Sequence, residues 1–209
     1  MRMLLAVIAV LAAGCASTPK SSVSRIAPTD QKWIASAPSI SIDVEPAAKF
    51  ERFGPKQQAQ MMTGMMFGAI GGAAGAGIAI ASARKEGALL VEKHSLTDPS
   101  LRVAEQMKRA LSQYELTDEG KAYVLIRLTT KGWRLTKGRI GYAVELVAIK
   151  PARSAVLAKS ECRILSDEGS DDNAMLADSA ARLRAEQERA ASLCADYFLE
   201  HVFAGARKG

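Results

Sequence analysis

The chain has 209 residues, of which 48% are hydrophobic and only 5% aromatic, with a formal net charge of +6. That length suits one domain with extensions. Residues 84–209 carry 21 basic and 18 acidic side chains, too mild and dispersed a balance for a nucleic-acid-binding face, and the few aromatics argue against a deep aromatic-lined ligand pocket.

The first fifteen residues read MRMLLAVIAVLAAGC. Arg2 is a short positive start, Met3 to Ala13 is an unbroken apolar run, and Ala12, Ala13 and Gly14 are small residues that give a peptidase access just before Cys15. Eleven apolar residues are too few for a bilayer core that needs ~20 helical residues, and are sized like the h-region of a secretory signal. The segment resembles the export signal of bacterial lipoproteins, with Ala12 where the commonest lipobox has Leu. The resemblance implies removal of residues 1–14, attachment of membrane lipid (palmitate among its acyl chains) at Cys15, and a place in the cell envelope. Ala16 after the cysteine implies passage to the outer membrane, facing the periplasm, because the usual retention residue, Asp, is absent.

Residues 15–38 are rich in Ser, Thr, Pro and Ala and read as a flexible tether. Trp33 and Ile34 are its bulky pair and are expected to dock on the folded domain. Residues 39–60 open with SISIDVE, in which Ile40, Ile42 and Val44 alternate with polar residues as in a half-buried strand. A connector follows from Pro46.

Residues 61–84 contain a run, 61–83, with no charge and with 13 Gly or Ala among 23 residues. As one helix it would reach ~35 Å, enough to cross a bilayer core of ~30 Å. Each glycine costs ~1 kcal/mol against Ala inside a helix, so the run needs a close neighbour. Gly64, Gly68, Gly72 and Gly75 follow at steps of four, four and three and would share one face, the small-residue geometry that lets helix backbones touch. The run resembles the glycine-zipper segments of small bacterial envelope lipoproteins, which implies self-association through residues 61–83. Two shapes remain open: one helix, or a helical hairpin bent at Gly71-Gly72 whose halves are too short to span. The hairpin leaves the rest of the chain in the periplasm.

Residues 85–209 read as an α+β domain. Residues 98–114 form a helix, capped by Asp98 and started by Pro99, with Val103, Met107, Ala110, Leu111 and Tyr114 as its apolar stripe. Strands follow over 122–135, with Val124, Ile126 and Leu128 on one face and a bulge at Gly132; over 141–149, with Tyr142, Val144 and Leu146 on one face; and over 155–164, with Val156, Ala158, Ser160, Cys162 and Ile164 on one face. Lys137-Gly138 is the turn between the first two. The short connections imply an antiparallel meander. An acidic loop holding Asp167, Glu168, Asp171 and Asp172 reads as a solvated loop that caps the following helix, with Asp171 to Asn173 at its positive end, and residues 174–203 read as one long helix with Leu176, Ala180, Leu183, Gln187, Ala190, Cys194 and Tyr197 inward. The fold class is therefore α+β: a small antiparallel sheet of three to four strands with two helices on one face, preceded by signal, tether and zipper. This order loosely resembles periplasmic domains of assembly and secretion lipoproteins, including the curli secretion family, in topology alone.

Cys162 and Cys194 fall on the apolar faces of a strand and a helix. Two cysteines left over in an exported chain suggest a disulfide; two separately buried thiols are the alternative. Lys131, Trp133, Arg134, Lys137 and Arg139 cluster around the hairpin, either as a patch for anionic surfaces or as a solvated hairpin with one outward Trp. His94 and His201 have no partner at ligand or triad spacing, so neither metal, cofactor nor catalysis is expected. The reading is a structural or protein-interaction role with an envelope protein as partner; a membrane-active oligomer built through the glycine run is the alternative.

Overall fold

The computed structural model describes residues 20–23, 27–45, 48–66, 68–166 and 171–203. The signal, Cys15, Asp167 and Glu168 lie outside them. The described chain is α+β, but its sheet is larger than expected and mixed. It has seven strands: β1 (Lys20–Val23), β2 (Ser39–Glu45), β3 (Glu51–Phe53), β4 (Glu115–Leu116), β5 (Val124–Thr136), β6 (Arg139–Lys150) and β7 (Ala155–Leu165). The order is β1-β7-β6-β5-β2-β4, with β3 also on β5. The β5-β6-β7 meander is antiparallel as expected, whereas β2 and β3 both run parallel to β5 and β4 runs parallel to β2. The difference arises because residues before the α+β segment complete the sheet, and parallel pairing needs long connections that no local turn reveals.

Five helices accompany it: α1 (Pro28–Ala35), α2 (Pro55–Met66), α3 (Gly68–His94), α4 (Pro99–Ala110) and α5 (Asp172–Val202). The expected pair, α4 and α5, lies side by side against the sheet. Rows of mostly apolar residues cross the strands beneath them, such as Val44, Leu128, Leu146 and Ser160 in register. The opposite face is charged: Asp43 pairs with Arg127 at 3.2 Å, and Glu145 with Lys131 at 3.0 Å and Lys159 at 2.7 Å. One apolar and one polar face suit a sheet covered on one side.

The flexible-tether expectation for 15–38 is corrected at two places. Residues Lys20–Val23 pair antiparallel with β7, and Pro28–Ala35 form α1. Ile34 is fully buried, and the Trp33 ring stacks 4.4 Å from Tyr123, with Lys150 Nζ 4.2 Å above it. Pro28 at the helix start fixes φ for the first turn.

The glycine run is also divided. Gly64 ends up in α2, while Gly68, Gly72 and Gly75 belong to α3, so the four do not line one helix. The two helices pack on each other. Gln57, near the start of α2, donates to Ser82 Oγ at 3.1 Å and to Glu86 Oε1, far along α3, so they run antiparallel as a hairpin. The described part of α2 ends at Met66 and that of α3 begins at Gly68, and Gly71-Gly72 are helical. Among the described residues, no helix is long and apolar enough to cross a membrane; α3 continues into Arg84, Lys85 and Glu86. Its small stripe Ala79, Ala83 and Gly87 is buried inside the protein. A Cβ at Gly87 would lie 1.9 Å from the Phe50 carbonyl oxygen, so α3 rests directly on the chain entering β3.

The long C-terminal helix is broken. Ala177 to Ala180 leave helical geometry, with φ of 49°, 57° and 61° at Asp178, Ser179 and Ala180, a left-handed conformation that disfavours side chains. Leu183, Cys194, Phe198 and Val202 beyond the break are fully buried.

Candidate functional site

The site lies where β5 is interrupted. Thr130 pairs with Val144 and Gly132 with Ala143, so Lys131 is an extra residue in the ladder. Such a bulge bends its strand and re-aims the side chains beyond it. Before it, the even residues Ile126, Leu128 and Thr130 face the helices; after it, the odd residues Trp133 and Leu135 do. Trp133 is therefore turned inward. It is 5% exposed and its ring centroid lies 4.7 Å from Phe50.

Thr130 anchors the inner side of the bulge. Its hydroxyl donates to Asp98 Oδ1 at 2.6 Å and accepts from the Ser100 backbone N–H at 3.1 Å. Asp98 Oδ1 also accepts from the Ser100 N–H at 2.9 Å, capping α4. Across the ladder, the Tyr142 hydroxyl donates to the Pro99 carbonyl at 2.9 Å. Burial pushes the Tyr142 phenol well above its ordinary value, aided by the charges of Asp98 and Glu188 and opposed by Arg102. The bulge, the start of α4 and β6 thus form one connected unit.

Outside the bulge is an open cleft of about 370 Å³, lined by Ala48, Lys49, Glu51, Arg84, Thr130, Lys131, Gly132 and Trp133. Three cations meet one carboxylate. Arg84 Nε lies 2.9 Å from Glu51 Oε1, and Lys131 bonds Glu145, whose carboxyl burial would raise but the Lys159 and Lys131 ammonium groups hold below its ordinary value. Lys49 is exposed and has no ion-pair partner among the described residues. The Trp133 indole N–H is buried without an acceptor among the described residues. This wall offers hydrogen-bond donors and positive charge, the chemistry of an oxyanion site.

The hairpin patch expected from sequence does not assemble. Lys131 and Trp133 reach the cleft, but Trp133 is a core residue and not an outward ring. Arg134 folds over Gly141, where a Cβ would lie 2.8 Å from its side chain. Lys137 occupies the tight turn with Gly138, at φ of 50° and 67°, which matches the primed turns of two-residue hairpins. Arg139 is exposed at the start of β6. Lys137 borders a different shallow cleft with Arg52 and Asp172. Asp172, expected to be solvated, is buried. Its Oδ1 accepts from the Gly138 N–H at 2.6 Å and its Oδ2 lies 3.7 Å from Arg52 Nε. It ties the hairpin turn to α5 and β3.

Lys49, Glu51 and Arg84 were not singled out in the sequence. They come from two other segments, β3 with its approach and α3, and only the packing of α3 on β3 brings them to β5. Glu51 and Arg84, separated by 33 residues, leave no spacing signal.

Cys162 and Cys194 form a disulfide that joins β7 to α5, with Cα atoms 5.6 Å apart. His201 Nδ1 lies 2.8 Å from the Tyr197 carbonyl, one turn back in α5. Among the described residues no group of three His, Cys, Asp or Glu side chains is placed to hold a metal ion.

No family model matches the chain, and no curated protein matches it. Remote likenesses exist among solved structures. A candidate lipoprotein from Caulobacter crescentus CB15 is 15% identical with a TM-score of 0.38, covering 58% of this chain and 98% of that one. The PelC dodecamer protein from Paraburkholderia phytofirmans is 9% identical with a TM-score of 0.34, covering 84% of this chain and 97% of that one. Lipoprotein GNA1162 from Neisseria meningitidis is 15% identical with a TM-score of 0.24, covering 71% and 98%. At this distance no residue role is carried from them.

Proposed function

We propose that the chain is a lipid-anchored protein of the bacterial cell envelope. Its α+β domain sits in the periplasm at the outer membrane and binds an envelope partner protein, with no catalytic step of its own. The observation that carries this reading is the Cys162–Cys194 disulfide. Such bonds persist in oxidising compartments, which is where the lipobox ending at Cys15 directs a chain. The β1–β7 pairing adds a consequence. Five Cα steps separate Cys15 from Lys20, so a lipid on Cys15 holds that sheet edge within about 18 Å of the anchor. The domain is leashed closely, not hung on a long tether.

Metabolic labelling with a palmitate analogue, read beside membrane fractionation, tests the anchor: the wild-type chain takes label and sediments with membranes, and Cys15→Ser loses both. Placement is read at Val156→Cys, since Val156 is 62% exposed. With only the outer membrane opened, an impermeant maleimide reacts there; protection under that condition overturns the periplasmic placement.

A second reading, self-association through the α2–α3 hairpin, is favoured by one observation. Met62, Ile78 and Leu89 are 70%, 61% and 59% exposed. Ile78 and Leu89, eleven residues apart in α3, stand about 20° apart around the helix at 3.6 residues per turn. Disulfide crosslinking of Ile78→Cys into dimers at native abundance supports that reading, and a monomer alone removes it.

A further inference from the structure

We propose that the cleft at the β5 bulge is a phosphate-binding site, with the Lys49 ammonium and the Trp133 indole N–H as its primary donors. This inference goes beyond the anchoring reading and does not depend on lipid at Cys15.

Three independent features converge there. First, Trp133 is only 5% exposed, and its N–H has no acceptor among the described residues. A buried donor without a partner is costly, and native proteins satisfy nearly all such groups. An oxyanion entering the cleft that Trp133 lines would satisfy it.

Second, the charge is arranged for an anion. Arg84 and Lys131 are each held in place by a carboxylate, Glu51 at 2.9 Å and Glu145 at 3.0 Å. Lys49 has no such partner among the described residues and remains available. The lining carries three cations and one anion, so it keeps a positive field after its internal pairs are counted. Charge-assisted hydrogen bonds to phosphate are the strong class of polar contact.

Third, the bulge places Lys131 outside the ladder register. An extra residue in a bulge has unpaired backbone groups. The bulge thus sets the Lys131 cation among the residues that line the cleft. At about 370 Å³ the space takes a phosphate with its ester substituent. The chemistry is shared by soluble phosphate esters and by phospholipid headgroups, and the test separates the two.

The purified chain carrying Trp33→Phe has Trp133 as its sole indole, so its emission reports the cleft. It is titrated with inorganic phosphate, with glycerol 1-phosphate, with phosphatidylglycerol vesicles and with phosphatidylcholine vesicles, at constant ionic strength set by chloride. The proposal expects a saturable change in Trp133 emission with a phosphate source. Lys49→Glu, on an exposed side chain that leaves the core intact, weakens it about tenfold or more, the scale of one lost charged hydrogen bond. Lys137→Glu, outside the cleft, leaves it unchanged. Saturation by the soluble esters identifies a free phosphate ligand; saturation by phosphatidylglycerol vesicles alone identifies a membrane headgroup. No saturable response to any phosphate source, an equal response to chloride, or an affinity indifferent to Lys49→Glu overturns the proposal.

Discussion

Two buried tyrosines show how partner geometry decides the value of a hydroxyl. The Tyr142 hydroxyl donates to the Pro99 carbonyl at 2.9 Å, whereas the Tyr197 hydroxyl is buried with no partner among the described residues. Tyr142→Phe removes a buried hydrogen bond, which costs about 1 kcal/mol. Tyr197→Phe removes an unsatisfied group and is neutral or slightly stabilising for the same reason. Urea midpoints of the two variants, compared with the parent, check the contrast. Tyr142 also sets a pH dependence. Its folded pKa lies well above the ordinary 10.0, so the folded state keeps a proton that the unfolded chain releases. The associated stability is complete below about pH 10 and falls as pH rises beyond it. Melting temperatures across that alkaline range should fall less steeply in Tyr142→Phe than in the parent; parallel slopes contradict the assignment.

Among elements, the glycines of α3 have unequal roles. Gly87 meets the Phe50 backbone so closely that a Cβ would lie 1.9 Å from its oxygen and 2.6 Å from its carbonyl carbon. Backbone atoms cannot swing away as a side-chain tip can. Gly87→Ala is therefore expected to lift α3 from β3 and to cost about 1–3 kcal/mol as overpacking. Gly77 has nothing within 4 Å of the same position, so Gly77→Ala is expected to stabilise by up to about 1 kcal/mol through helix propensity. Thermal melts of the two single variants read the difference directly. The strands make a parallel point about register. Alternation in 122–135 identified the inward face up to Leu128, and a bulge was legible near Gly132. Its effect on Trp133 was not, because the extra residue is counted only once β6 is aligned beside β5. A second irregularity, where Ala148 pairs with Ala158 but Ile149 with Val156, turns Val156 outward although the simple alternation placed it inward.

At the scale of the molecule, the Cys162–Cys194 bond joins the sheet to the helix layer across 32 residues of chain. The loop-entropy model assigns such a closure about 3–4 kcal/mol. The double variant Cys162→Ala/Cys194→Ala should lose stability on that order in urea denaturation, and a reducing agent should lower the parent's midpoint without moving the variant's. A reductant-insensitive parent would show that the bond does not form in solution. The bond also bears on the break at Ala177–Ala180, since it fixes α5 to β7 beyond that break and leaves the first turn, held by Asp172 to the Gly138 N–H, to follow the hairpin.

Local pattern alone determined a good part of this protein: strand β2, helix α4 with its Asp98 cap, the Lys137-Gly138 turn, the antiparallel meander, and the placing of Cys162 and Cys194 on facing layers. Each is written in spacings of two, three or four residues, or in a cap or turn whose chemistry is local. Tertiary structure alone decided that β1, β2 and β3 extend the sheet, that the glycine run is divided between two antiparallel helices, and that Lys49, Arg84 and Lys131 meet beside Trp133. Those outcomes depend on parallel pairing and on contacts between segments tens of residues apart. No periodicity along the chain encodes them, because the deciding energies are the burial and close approach of surfaces that become neighbours only on folding.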